Sequence, residues 1–130
     1  MATHPAHPAG SATATAETLA AVARFNAAFA RHDIAGIMAA MADDCLFEDT
    51  PPPDGRCYQG QAAVRAYWEQ FFRDSPHARF EEEERFAWGD RCVVRWRYSW
   101  DPAGDGHVRG VDLFRVRDGL VAEKRAYVKG

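Results

Sequence analysis

The sequence predicts an α+β fold: a cone-shaped α+β barrel with three N-terminal helices packed on a curved, mostly antiparallel sheet. Three observations carry this reading. Apolar residues recur at helical spacing in three stretches before Pro76. Strand-like alternation takes over from Arg79 to Gly130. Two tight turns, Gly89-Asp90 and Asp118-Gly119, fold that run back on itself as hairpins. Helices segregated from strands in this way place one helical layer over one sheet face.

The elements follow in order. Residues 1–16, MATHPAHPAGSATATA, lack the basic and apolar regions of a secretory signal and read as a disordered tail. His4 and His7 sit close enough there to share a metal, although such a tail pair is expected to be idle. The folded domain is expected to span 17–130. Its first helix runs from Glu17, with Leu19, Val22, Phe25 or Asn26, and Phe29 on one stripe and Thr13 or Thr15 as cap. His32-Asp33 breaks it, and Ile34, Ile37, Met38 and Met41 mark a second helix that Asp43-Asp44 ends. Cys45 to Asp49 alternates as a short strand, with Cys45, Phe47 and Asp49 on one face.

The segment TPPPDG from Thr50 to Gly55 is a stiff loop, because its prolines remove backbone donors. Gly60 opens a third helix with Val64, Trp68, Phe71 and Phe72 as its apolar stripe, and Ser75-Pro76 stops it. Four strands remain: Phe80 to Trp88, Arg91 to Trp100, Val108 to Arg117, and Leu120 to Val128. On the first of these, Phe80, Glu82, Glu84, Phe86 and Trp88 are expected on one side. Glu81 and Glu83 are then expected to face Arg95, Arg97, Arg115 and Arg117 across a charge-paired outer surface.

A chain of 130 residues with 47% hydrophobic and 27% charged residues is an ordinary single globular domain. No apolar run approaches the roughly 18–20 residues of a membrane-spanning helix. The net charge of -3 offers no basic surplus for nucleic acid. Lys124 and Lys129 are the only lysines; the other basic side chains are arginine. Cys45, Cys57 and Cys92 form neither a CxxC motif nor an even-numbered framework, which points to a reducing, cytoplasmic setting. There is no GxSxG, HExxH, P-loop or GxGxxG, so no metal and no cofactor are expected.

A helix layer over a bent sheet encloses a cavity. The chain supplies 4 Trp, 4 Tyr and 8 Phe, and the stripe Trp96, Tyr98, Trp100 suits a cavity wall. Asp112 shares its strand face with Val108, Gly110, Phe114 and Val116. A carboxyl among such neighbours ionises reluctantly and suits a hydrogen-bond-donating acid. The alternative is a structural anchor paired with an arginine across the sheet. Asp49 enters the proline loop at the cavity mouth, as a base or as a turn cap.

The segments HDIAGIMAAMADDCLFED, YQGQAAVRAYWEQFF and VRGVDLFRVRDGLVAEKRAYV, in this order between Val22 and Val128, resemble the nuclear transport factor 2-like superfamily, in its SnoaL-like and ketosteroid isomerase-like members. That fold carries isomerases, dehydratases, cyclases, epoxide hydrolases and binding proteins. The resemblance implies that Asp49 in FEDTP takes a proton beside a carbonyl, and that Asp112 in GVDLF donates to the developing oxyanion. It places Phe25 where the isomerase pattern has its helix-one tyrosine, and Trp68 where it has a second one. Loss of such a donor costs about 10²–10³ in rate.

Tyr67, Tyr98 and the Trp68 indole are the substitute donors in the sequence. The epoxide hydrolase pattern is not met, since Arg95-Trp96-Arg97 and Ala126 stand where its carboxylates belong. His77 and His107 fall in loops, unlike the paired pocket histidines of scytalone dehydratase-like proteins. The expected function is cofactor-free acid–base chemistry of isomerase, dehydratase or cyclase type on a small hydrophobic carbonyl or polyketide-like molecule. The alternative is a non-catalytic binding protein. Phe25, Tyr67, Trp68, Trp96, Tyr98 and Phe114 are the expected substrate contacts, and the expected assembly is a homodimer through the outer sheet face.

Overall fold

Residues 11–129 are described by the computed structural model. His4, His7 and residues 1–10 of the expected tail lie outside them. The elements are α1 (Ala12–Ala30), α2 (Ile34–Ala39), β1 (Met41–Glu48), β2 (Cys57–Gln59), α3 (Gln61–Asp74), β3 (Arg79–Trp88), β4 (Arg91–Ser99), β5 (His107–Arg117) and β6 (Leu120–Val128). The strands form one curved, unclosed sheet in the order β2-β1-β6-β5-β4-β3, with the three helices on its concave side. All neighbouring pairs are antiparallel except β1 with β6.

The first helix begins earlier than the periodicity predicts. Ser11 caps it, accepting the Ala14 N–H at 2.9 Å, so residues 12–16 are helix rather than tail. The threonines have another task. The Thr15 hydroxyl accepts the Gly89 N–H at 2.9 Å, and the Thr18 hydroxyl donates to the Gly89 carbonyl at 2.6 Å. The turn between β3 and β4 therefore pins the start of α1, a tertiary contact that no local pattern announces.

The second helix ends at Ala39, and Met41 to Asp44 belong to β1. Pairing with β6 decides this: Met41 lies opposite Val121, whose N–H donates to the Ala40 carbonyl at 2.9 Å. The strand β2 was not expected, being three residues long and thus too short to show alternation. The Gln61 amide then ties α3 down, donating to the carbonyls of Met38, Met41 and Ala42 at 3.1–3.2 Å.

One register shift changes the faces of β3. A bulge between Glu82 and Glu84 leaves Glu82 opposite Trp96 and Glu84 opposite Arg95. Beyond it, Arg85 and Ala87 turn inward, while Phe86 and Trp88 face out at 57% and 72% exposure. Phe80, Glu82, Glu84, Phe86 and Trp88 therefore do not share one side. The outer charge pairs are also redistributed. Glu81 meets Arg97, Glu83 meets Arg95 and Arg109, Arg115 meets Glu123, and Arg117 meets Asp44. The core lies between helices and sheet, around Phe25, Phe29, Ile37, Phe47, Val64, Trp68, Trp96 and Phe114.

Candidate functional site

Two cavities open inside the cone, and they share a wall. One, of about 170 Å³, lies under α3 and is lined by Asp49, Tyr67, Trp68, Tyr98 and Val108 among others. The second, of about 340 Å³, lies between α1 and β3 and is lined by Phe25, Asn26, Glu82, Arg85 and Val94 among others. Phe29, Phe80, Trp96, Asp112 and Lys124 line both. The shared residues come from α1, β3, β4, β5 and β6, so the sheet's curvature assembles the wall.

Asp49 follows β1 and is buried at the loop that the prolines stiffen. Its Oδ1 accepts the Arg56 N–H at 2.6 Å, and its Oδ2 lies 3.4 Å from the Arg56 guanidinium and 3.5 Å from the Tyr58 hydroxyl. The loop closes again through Asp49 N–H to the Arg56 carbonyl at 3.0 Å. Gly55 makes this possible. Its φ is +70°, and a Cβ there would meet the Asp49 carbonyl oxygen at 2.2 Å, so only glycine fits. Asp49 thus both closes a turn and faces the smaller cavity.

Tyr67 stands on α3 beside it. Burial, followed by the negative charge of Asp49, pushes its phenol up to about 12, so it holds its proton as a donor. The Trp68 indole Nε1 is buried without a hydrogen-bond partner among the described residues. Leaving a buried donor unmet costs about 1–3 kcal/mol, which a water or a ligand acceptor recovers.

Asp112 is not isolated, as its strand alone implied. Its partner is neither apolar nor an arginine: Lys124 Nζ lies 3.5 Å from Oδ1, and both side chains are under 10% exposed. Lys124 comes from β6, between Ala122 and Ala126 on the inward face. Its ammonium is enclosed by rings, 4.9 Å from the Phe47 centroid, 5.1 Å from Trp68, 5.6 Å from Phe29 and 6.0 Å from Phe25. Burial pushes the Asp112 carboxyl above the ordinary carboxylate range, against the pull of Lys124 and a weaker one from the Trp96 indole. That indole still falls short of hydrogen-bond geometry, and Asp112 Oδ1 likewise lacks a hydrogen-bond partner among the described residues.

The structure therefore brings Asp49, Asp112, Tyr67, Trp68, Trp96 and Tyr98 to one cavity. Phe25 lines the other, and Phe114 lines neither: it is core, packed edge-on to Phe25 at 5.7 Å. His107 opens β5 rather than lying in a loop, and it is exposed, as is His77. Lys124 is the residue that sequence reasoning missed. Its signal was present in the alternation Ala122, Lys124, Ala126, which puts one of the two lysines on the buried face.

Residues 22–124 match the family model of the SnoaL-like domain. The chain belongs to the SnoaL-like family. Its structure superposes on a nuclear transport factor 2-like protein of unknown function from Mesorhizobium loti with a TM-score of 0.79, at 38% identity over 98% of each chain. It also superposes on a Mycobacterium tuberculosis protein in complex with estradiol-17beta-hemisuccinate, at 28% identity and TM-score 0.71 over 85% of this chain and 92% of that one. A protein from Kribbella flavida, provisionally assigned as a ketosteroid isomerase, shares the fold at 20% identity and TM-score 0.77, over 89% and 80% of the two chains. No curated protein matches the chain. Among the described residues no helix is long and apolar enough to cross a membrane.

Proposed function

We propose that this SnoaL-like protein is a cofactor-free acid–base enzyme of isomerase, dehydratase or cyclase type, acting on a small hydrophobic carbonyl or polyketide-like molecule. The observation that carries the reading is the smaller cavity: Asp49, just after β1, and Asp112, on β5, both line it among aromatic rings. Asp49, with backbone and guanidinium donors fixing the carboxyl at the cavity edge, is the base in this reading. Asp112, which burial inclines toward the protonated form, is suited to donate to a developing enolate. Tyr67 and the unpaired indoles of Trp68 and Trp96 supply further donors in place of the tyrosine that Phe25 replaces.

Size narrows the substrate. Pockets for drug-sized ligands usually span roughly 300–1,000 Å³. The cavity of about 170 Å³ suits a single ring, and a polycyclic ligand such as the steroid ester held by the mycobacterial relative has to extend into the second cavity. The test is exchange of α-hydrogens of cyclohexenone in D2O, followed by NMR. Asp49→Asn is expected to lose about 10²–10⁴ of the rate, and Asp112→Asn to keep part of it because an amide still donates. Exchange by Asp49→Asn at the wild-type rate would overturn the assignment.

One observation favours the second reading, a binding protein that does no chemistry: Asp49 already spends its lone pairs on Arg56. Tight binding of cyclic ketones by a wild-type protein that exchanges none of their hydrogens would decide for it. We also propose a homodimer through the convex sheet face. Phe86, Val93 and Leu113 form an apolar row across β3, β4 and β5 there, and Trp88 lies beside it. Light scattering after size exclusion is expected to give twice the chain mass; a monomer at high concentration would refute the dimer. The three free thiols, two of them buried, suit the reducing cytoplasmic compartment we propose for it.

A further inference from the structure

We propose that Lys124 is a covalent site: its amine condenses with the carbonyl of a bound aldehyde or ketone to form an imine. The inference rests on the carbonyl-binding reading above but adds a reaction that acid–base chemistry does not require. Four features of the site carry it. The nitrogen is buried yet lines both cavities, so a ligand in either one can reach it. Among the described residues its one ionic partner is Asp112, at 3.5 Å, and no hydrogen bond joins them. Rings of Phe25, Phe29, Phe47 and Trp68 surround it, which keeps water from competing for the carbonyl carbon. Its carboxyl neighbour can carry protons both ways.

The step balances within this pair. From the ionised form of the pair, proton transfer from the ammonium to the Asp112 carboxylate yields the neutral acid and frees the nitrogen lone pair, which adds to the carbonyl carbon as the C=O π bond opens. Asp112 protonates the oxygen, recovers a proton from nitrogen, and delivers it to the departing hydroxyl. The carbon–oxygen bond breaks, water leaves and the C=N bond forms. Of the three ammonium hydrogens, one stays on the iminium nitrogen and two leave in the water, with Asp112 again a carboxylate. The iminium then withdraws electrons from the adjacent carbon, within a cavity that Asp49 also lines.

The chain is well suited to the test, because its amines are few: Lys124, Lys129 and the N-terminus. Arg125 lies between the two lysines, so cleavage after arginine separates them onto different peptides. The native protein is incubated with benzaldehyde and sodium cyanoborohydride, and adducts are mapped by mass spectrometry as a gain of one aldehyde less one oxygen. Lys124 is expected to carry at least about tenfold more label than the exposed Lys129, because a held probe reacts as if at high local concentration. Denaturation in urea is expected to abolish the preference, and Lys124→Arg to abolish the major adduct. Label on Lys124 no greater than on Lys129 overturns the proposal in the wild-type protein itself, whatever the variant does. Quenching of tryptophan fluorescence by benzaldehyde, read in parallel, tells whether the cavity reading falls with it: quenching without an adduct removes the imine alone.

Discussion

The two faces of one sheet hold carboxylate–cation pairs in opposite surroundings. On the concave face, Asp112 of β5 meets Lys124 of β6 in a setting of aromatic rings. On the convex face, Glu83 meets Arg109 of β5 at 3.0 Å and Arg95 of β4 at 3.3 Å, in contact with water. Burial raises the Asp112 carboxyl from its ordinary value, and hydrogen bonding to Arg109 lowers that of Glu83. Desolvation wins inside and attraction wins outside. The lesson is that a pairing of carboxylate with cation is a reactive, costly feature on one face and a mild, screened one on the other.

The largest effect is expected from breaking the inner pair. Lys124→Met leaves Asp112 buried without compensation and is expected to cost about 3–5 kcal/mol in urea melts near neutral pH. Adding Asp112→Leu, which replaces the charge by apolar volume beside the cavity, is expected to restore most of the loss. Failure of the double variant to recover would mean that Lys124 matters through packing on its rings rather than through charge.

Next comes the floor on which the inner face rests. Gly110 lies opposite Trp96, and a Cβ there would meet the Tyr127 carbonyl at 2.3 Å and the Trp96 ring at 2.5 Å. Gly110→Ala is expected to cost about 1–3 kcal/mol by forcing strand or ring to shift. Tryptophan fluorescence is expected to change with it. Unchanged stability and emission would show an inner face looser than this packing implies.

The dependence on pH sharpens the contrast through its sign. Asp112 is raised, so the folded chain holds a proton that the unfolded chain releases. Its stabilising share is complete below about 3.8 and is lost as pH rises through the folded value. Glu83 is lowered from 4.5, so its share is present above that value and is lost as pH falls through the folded one. Asp112→Asn is therefore expected to remove a loss of stability on the alkaline side of 3.8. The smallest change is expected from Glu83→Gln, a loss present above 4.5 that fades as pH falls through the folded value and is erased by high salt because the group is exposed. A salt-insensitive Glu83 effect would indicate that a second copy of the chain covers the convex face.

Much of the architecture was legible in the residues. Alternation placed Cys45, Phe47 and Asp49 on one face, and Gly110, Asp112, Phe114 and Val116 on another, and all of these are buried. The turns Gly89-Asp90 and Asp118-Gly119 needed only local chemistry: Gly89, Asp118 and Gly119 take positive φ, which glycine adopts freely and aspartate tolerates. Helical stripes and the proline loop were equally local. Such features depend on neighbours a few positions apart, so one sequence determines them by itself.

Tertiary structure decided the rest. The bulge at Glu83 exchanged the faces of Phe86 and Arg85, because register is a property of two strands and not of one. Parallel pairing with β6 drew Met41 to Asp44 out of the helix, and Gly89 held residues 12–16 in one. The site followed the same rule. Asp112 and Lys124 are separated along the chain, and only the hairpin register, which sets Phe114 opposite Lys124 and Asp112 opposite Ala126, brings the charges together on the inner face. Alternation can say that each side chain points inward, but which charge meets which is settled by the pairing of strands and the curvature that closes the cavity around them.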